Sequence, residues 1–375
     1  MVRCGRKGRV SPGNPACAST LITVTITTAV QTSGGENLAE AVSFSFTTGM
    51  EVDTTPPTIV GFDPPNGSTM QADQGSVTIT FSEPMDTGSL QPSRMNGQLL
   101  WLLSQVGSEP LWNAEGTEIT VPLPDDLPAG LRLEVGFAGY SDANGVVQPD
   151  ETLWASTVAG TGNPYPVSDG ARYAMFGSWA RGELDNPMPT ETGDEAVWYQ
   201  FTARGGSQWN LEEYFDPSYT ILDYYDIYSV TSASVSWLGF AEDMGAAKEF
   251  TELFFTVPVV MADLPLSVGS DWTTNTQLTF PGEGTIDATI DGGVVSRADL
   301  PFENVEDFDV YWSDAWQIDI VLDASAGGDP ILHEDRSYWF VNGVGMVRQT
   351  RYEENYQPGD EGWENTETWL VPEGD

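Results

Sequence analysis

Residues 47–86, TTGMEVDTTPPTIVGFDPPNGSTMQADQGSVTITFSEPMD, constrain the fold of this chain more than any other stretch. They join AVSFSFTTG (41–49), which alternates apolar and polar residues as a strand does, to a run that enters on Pro56 and Pro57 and alternates again in SVTITFSEP. A period of two puts Val77, Ile79 and Phe81 on one face, so this strand hides its apolar half only against a second sheet. The two prolines deny the entry its ladder donors and hold it extended, as a linker or an edge requires. The stretch predicts a seam between β modules.

Upstream of the seam, TLITVTITTA (20–29) reads as a strand, QTSGGENLAE as turn material, and 41–49 as a second strand with Val42, Phe44 and Phe46 on one face. Two strands with one apolar face need further strands to pack against. Residues 20–50 are therefore expected to be the terminal hairpin of a module that begins elsewhere, or extra edge strands of the next one. Residues 1–19 are basic in an acidic chain and hold both cysteines, Cys4 and Cys17. They read as an atypical or mis-started N-terminus, with an export signal expected upstream and a core that does not depend on disulfides.

Between the seam and residue 160, strands are expected at TIVGFDP, SVTITFSEP, GQLLWLLSQ, TEITVPLP, LRLEVGFAG and ETLWASTVAG, separated by turns rich in Asn, Gly, Asp and Pro. About seven short strands without a helix predict a β-sandwich. In Phe81-Ser82-Glu83-Pro84-Met85-Asp86, Phe81 ends the strand facing inward, Pro84 stops the ladder, and Met85 is placed to plug the open end of the sandwich. This is first a structural corner. Its second reading is a calcium site from Glu83, Asp86 and Asp142, hard oxygen donors suited to that ion.

DTTPPTIVGFDPPNGSTM, VTITFSEPMDTGSL and SDANGVVQ, followed by a closing strand, resemble the bacterial immunoglobulin-like (Ig-like) domain first described in surface-layer proteins. That family's pattern is a TPP entry, an FSEPMD motif after the second strand, and a DxxGN-like turn before a terminal FSFTT strand. The resemblance implies a sandwich over 51–160, with 20–50 carrying the last two strands of a preceding copy. It also implies a stalk, spacer or adhesive role in an exported protein. The chain departs from the pattern at Asp142-Ala143-Asn144-Gly145, which lacks a Gly-Asn pair, and at LWASTVAG, which replaces FSFTTG.

After the Gly/Pro linker TGNPYPV (161–167), residues 168–375 form longer, aromatic-rich segments. SDGARYAMFGSWARGE and EAVWYQFTARGG read as a strand hairpin with Trp198 and Phe201 as anchors, and NLEEYFDPSYTILDYYDIYSV as a short helix leading to a strand. The later runs read as an antiparallel meander. The expected fold class is thus all-β: an Ig-like sandwich preceded by a partial repeat and followed by a larger antiparallel curved-sheet or half-barrel domain. Tyr224, Tyr225, Tyr228 and Trp237 are the candidate ligand-binding residues, because rings stack on sugar or apolar faces, with packing inside the sheet as the alternative.

LPLSVGSDWT, the stretch ending ADLPFENVEDFDVYW, and YWFVNGVGMVR (338–348) resemble a class of bacterial envelope lipoprotein domains with a closing YWFAPGVGLVK hairpin. That resemblance implies a half-barrel or curved sheet, in some relatives with an apolar cleft. On its own chemistry, Gly343-Val344-Gly345 beside Trp339 is a tight connection or bulge between strands.

The chain carries 14 Lys and Arg against 56 Asp and Glu, a formal net charge of -42. Such a polyanion repels nucleic acid and anionic lipid, which excludes both as electrostatic partners, while weak Ca²⁺ binding stays compatible with it. No apolar run is long enough for a membrane span. His333 is the single histidine, expected in the turn ILHEDRS, and no nucleophile stands at motif spacing from it, so no catalytic residue is assigned. The expected function is a non-enzymatic secreted or cell-envelope protein. Its Ig-like spacer would present a β domain to an envelope component, glycan, peptide or apolar ligand. A polysaccharide-acting enzyme with an accessory module, and a purely structural adhesin or stalk, are the alternatives.

Overall fold

The computed structural model describes residues 21–47, 53–106, 109–243, 250–280, 284–301, 309–358 and 361–370. Cys4, Cys17 and the whole segment 1–19 lie outside these. Strands β1 (Leu21–Ile26) and β2 (Val42–Thr47) pair antiparallel as a sheet of their own and share no ladder with the other described strands. Thr23 and Thr25 meet Ser45 and Ser43 across one face, each pair 2.8 Å apart. Val42, Phe44 and Phe46 on the other face are 51%, 51% and 44% exposed, so no described residue covers the apolar stripe.

The sandwich uses β3 (Ile59–Asp63), β4 (Ser68–Met70), β5 (Ser76–Phe81), β6 (Pro92–Asn96), β7 (Leu111–Trp112), β8 (Glu118–Pro122), β9 (Arg132–Phe137) and β10 (Thr152–Val158). One sheet runs β3-β5-β8-β7 and the other β6-β9-β10-β4. Between them Val77, Ile79 and Phe81 meet Leu133, Val135 and Trp154, all nearly closed to solvent. The Trp154 indole donates to the Pro64 carbonyl at 2.9 Å, which satisfies its one polar group inside the core. Met85, 4% exposed, joins the same core, and Pro57 is buried while Pro84 is exposed.

GQLLWLLSQ, expected as a strand, is instead a helix, α1 (Gly97–Ser104). A continuous apolar run fits either element, and the cap decides here: Asn96 accepts the Leu99 amide at 3.2 Å, which starts the helix and buries Leu99 and Leu102 on one side. Gly97 is needed because an added Cβ would lie 2.7 Å from the Trp312 ring.

Beyond residue 167 the chain is an antiparallel meander of β11 (Arg172–Gly182), β12 (Glu191–Gly205), β13 (Gln208–Tyr214), β14 (Leu222–Val230), β15 (Ser234–Asp243), β16 (Phe250–Asp263), β17 (Asp271–Phe280), β18 (Gly284–Pro301), β19 (Asp309–Ala326), β20 (Asp329–Val341), β21 (Gly345–Asn355) and β22 (Gly362–Leu370). The expected short helix before β14 is replaced by β13 and a turn. Asp216 accepts the Thr220 and Ile221 amides there at 2.9 and 2.7 Å, a side-chain substitute for backbone bonding that favours a turn over a helix. β22 closes onto β11, so the sheet runs from β16 back through β11 to β22 and on to β19, with β18 and β17 beyond. The curl then brings β17 to β16. Thr276 bonds both the amide and the carbonyl of Val257, and the Trp272 indole donates to the Val260 carbonyl at 2.7 Å. The fold is almost entirely β: a sandwich followed by a large, strongly curved sheet.

The two parts share one sheet. β6 pairs in parallel with β19, from Arg94 opposite Asp309 to Asn96 opposite Tyr311, giving 16 strands in all. Buried amides lock the seam: Asn96 donates to Ser313 Oγ at 2.7 Å, and Gln98 donates to the Ser313 carbonyl at 2.6 Å while accepting its amide at 3.1 Å. Segment 161–167 lies along the same junction. Its Asn163 carbonyl accepts the Gly343 amide at 2.9 Å, and Tyr165 packs on Phe340 with ring centroids 4.2 Å apart. Gly343 has φ of 79°, and a Cβ there would meet Pro128 at 2.5 Å, so the Gly343-Val344-Gly345 step is a tight turn pressed against the sandwich.

Candidate functional site

The inside of the curved sheet holds a cavity of about 1280 Å³. Strand alternation sets what faces it. On β14, Tyr224, Asp226, Tyr228 and Val230 point in, and on β20, Leu332, Glu334, Arg336, Tyr338 and Phe340 do. Of the ring candidates, Tyr224, Tyr228 and Trp237 line the cavity. Tyr225 has the opposite parity and sits on the outer face, where its hydroxyl donates to Glu252 at 2.9 Å. Phe201 likewise faces in, whereas Trp198 turns out to stack edge-on against Phe176. Trp339 also turns outward, one side of an Arg348 guanidinium that Trp369 covers on the other, at 4.3 and 4.4 Å from the ring centres.

The lining is segregated. One end is apolar, built by Val235, Phe255, Met261, Leu278, Ala288 and Leu322 from strands β15 to β19. The other is polar, where Glu213, Asp226, Glu334, Arg336 and Arg351 gather among tyrosines. Glu334, 1% exposed, is held between Arg336, at 2.8 Å, and Arg351. Burial would raise its carboxyl, but the two guanidiniums overcome that and hold it below the usual range, so it is a fixed anion.

Glu213 and Asp226 behave oppositely. Burial, with the nearby Asp223 and Asp226 charges, pushes Glu213 up to about 7, against hydrogen bonds from Tyr224 and Tyr199. Burial pushes Asp226 up to about 6, and Arg336, already shared with Glu334, offsets only part of it. Burial raises Tyr199, Tyr224 and Tyr228 well above 10, so their hydroxyls remain neutral donors. The Trp237 indole faces the Asp226 carboxyl, which its N–H and the Tyr228 hydroxyl help to hold down against burial, and Arg336 lies 5.7 Å from the ring centre. The polar end thus sets neutral hydroxyl donors and two carboxyls of raised pKa beside an apolar chamber.

Glu213 and Asp226 sit on neighbouring strands, Glu213 opposite Tyr224 and Asp226 opposite Leu211, so they are diagonal neighbours on one wall. His333, expected in a turn, lies within β20 and faces away from the cavity lining. Its Nδ1 is 2.7 Å from Asp323 and its Nε2 3.6 Å from Asp335, and the Asp323 hydrogen bond, ahead of those charges, raises its pKa.

At the far end of the sandwich the corner motif is zipped to the loop after β9. Met85 bridges Asp142, Pro84 accepts the Ala143 amide, and Asp86 donates its own amide to Ser141, the last two at 3.0 Å. Glu83 and Asp142 come together there, joined by Asp53, with one carboxylate oxygen of each within 4.8 Å of the others. Asp86 is not among them, and its Oδ1 accepts the Gly88 amide at 3.1 Å. Asp53 is the residue that sequence reasoning missed, although it opens the DTTPP motif.

A family model for the bacterial Ig-like domain matches residues 53–158. The sandwich is a bacterial Ig-like domain. Two solved structures overlap the chain at low identity. A Bacteroides fragilis NCTC 9343 protein of YmcC-like fold, assigned as exported, has 11% identity and a TM-score of 0.27, over 55% of this chain and 98% of its own. The S-layer protein rSbsC has 10% identity and a TM-score of 0.20, over 86% of this chain and 55% of its own. No curated protein sequence matches the chain. No described helix is long and apolar enough to cross a membrane.

Proposed function

We propose that the chain is a non-enzymatic, exported binding protein of the bacterial cell envelope or exterior, in which the Ig-like domain carries a curved sheet that holds an amphipathic ligand. The observation that carries this reading is the division of one 1280 Å³ cavity into an apolar chamber and a hydrogen-bonding end. Ligand pockets of this kind are mostly apolar with a few convergent polar groups, and this one has room for an acyl chain and a head group. Carboxyls outnumber guanidiniums over the whole lining: Glu195, Glu213, Asp226, Glu334, Glu353 and Glu364 against Arg172, Arg336 and Arg351. A neutral, hydroxyl-rich head therefore fits, and an anionic one is repelled. The Ig-like domain and the acidic composition support a location outside the cytoplasm.

Calorimetric titration of the whole chain with single-chain amphiphiles below their micellar concentrations tests the reading. An alkyl glycoside is expected to bind saturably at one site, and a fatty acid of equal chain length to bind at least about tenfold more weakly, a difference of about 1.4 kcal/mol. Absence of saturable binding by every head group would refute it. Release of sugar from the glycoside, abolished in Glu213→Gln, would instead establish the polysaccharide-acting enzyme.

A further inference from the structure

We propose that Asp53, Glu83 and Asp142 form a calcium site at the entry to the Ig-like domain. The three carboxylates come from separate parts of the chain, and the fold itself assembles them: the Met85–Asp142 bridge holds the corner motif beside the loop, and Asp53 enters just ahead of Pro56 and Pro57. Asp142 is 0% exposed. Its Oδ1 is committed to the Asn144 and Val146 amides, both at 2.8 Å, which fixes the carboxylate in place. Its Oδ2 is buried with no hydrogen-bond partner, and it is the oxygen left over for the cluster. A buried carboxylate oxygen without a donor is costly in a native fold and asks for a partner, and a bound cation is one.

The rest of the cluster fits the same ion. Asp53 is only loosely held, its Oδ1 accepting the Thr55 amide at 3.0 Å and its Oδ2 the Asn144 side chain at 3.4 Å, so it can turn to a ligand. Among the described residues no Lys, Arg or His pairs with any of the three carboxylates. Oxygen donors alone, without His or Cys, select a hard cation. Ligand oxygens up to 4.8 Å apart suit calcium–oxygen bonds of about 2.4 Å better than the shorter, strictly octahedral bonds of magnesium. Solvent would complete the shell, because Asp53 and Glu83 are only partly buried.

The experiment is calorimetric titration of the chelator-treated full chain with Ca²⁺ and with Mg²⁺, at about 0.15 M salt so that diffuse counterion binding is screened. The expected result is one saturable Ca²⁺ site with Kd of about 10⁻³ M or tighter, and a weaker Mg²⁺ response. Glu83→Gln and Asp142→Asn should each weaken it at least about tenfold, while Asp86→Asn leaves it unchanged. Glu83 is partly exposed and not tied into the buried turn, so its variant reads the site even if Asp142→Asn fails to fold. No Ca²⁺ heat, or equal Ca²⁺ heat in wild type and Glu83→Gln, would overturn the proposal and leave only the general affinity of a polyanion for cations.

Discussion

The Ig-like sandwich and the curved sheet meet through shared ladders, yet they handle their interiors in opposite ways. Two small sheets at sandwich spacing are filled by Trp154, Tyr140, Leu131 and Leu133, none more than 1% exposed. A sheet curled over twelve longer strands encloses more volume than its side chains fill, and the remainder is the cavity. The consequence is chemical as well as steric. Burial raises two carboxyls of the curved sheet, Glu213 to about 7 and Asp226 to about 6, while the sandwich core closes on apolar side chains. Under the proposed function, recognition belongs to the sheet.

The largest expected effect breaks the sandwich side of this contrast. Trp154→Ala should destabilise the protein by about 3–5 kcal/mol, because it empties a closed core and strands the Pro64 carbonyl. Trp237→Ala removes a ring that borders a void, and should cost about half as much while abolishing ligand binding. Chemical denaturation of both variants measures the ratio; equal losses would mean that the cavity is packed like the sandwich.

The pH dependence of stability sharpens the other side. Glu213 and Asp226 have folded pKa values of about 7 and about 6, above their ordinary 4.5 and 3.8, so the folded state binds protons that the unfolded state releases. Their contribution is fully present below about pH 4 and is lost as the pH rises through 6 and 7. The melting temperature should therefore fall between pH 5 and 8. Glu213→Gln should flatten that slope and stabilise the protein by roughly 1–3 kcal/mol at pH 8. A melting temperature that climbs over this range, or a variant with the wild-type slope, would show that Glu213 is ionised without penalty.

Two smaller effects probe the boundary. Gly343→Ala places a Cβ against Pro128 at a φ of 79° and should cost about 1–3 kcal/mol, read by thermal melting, by prising the turn from the sandwich. Tyr225→Phe loses one outer-face bond to Glu252 and should cost under about 1 kcal/mol with ligand affinity unchanged. A drop in affinity would place Tyr225 in the site after all.

Much of this was legible in the sequence. Period-two runs with one apolar face fixed the strands of the sandwich, and the FSEPMD motif marked a corner whose Met85 is in the core. GQLLWLLSQ was not legible as a helix, because a run that is apolar on all sides carries no period and its cap, Asn96, looks like any turn residue. Tyr224 and Tyr225 could not be separated, since adjacent tyrosines give no clue to which faces in. The polar end was hidden for another reason. In a chain of net charge -42, Glu213, Asp226 and Glu334 look like ordinary solvent-facing acids. A signal did exist in LHEDRSYWF, where Glu334 and Arg336 share the parity of Tyr338 and Phe340. Asp53 was missed because its partners are distant in the chain.

Filling the cavity tests the central claim most directly. Ala288 faces the apolar chamber and is 8% exposed, so Ala288→Trp puts a ring into empty space. The account predicts that this variant melts no lower than wild type and no longer binds the alkyl glycoside in calorimetry. A stable Ala288→Trp variant that binds with wild-type affinity would contradict it.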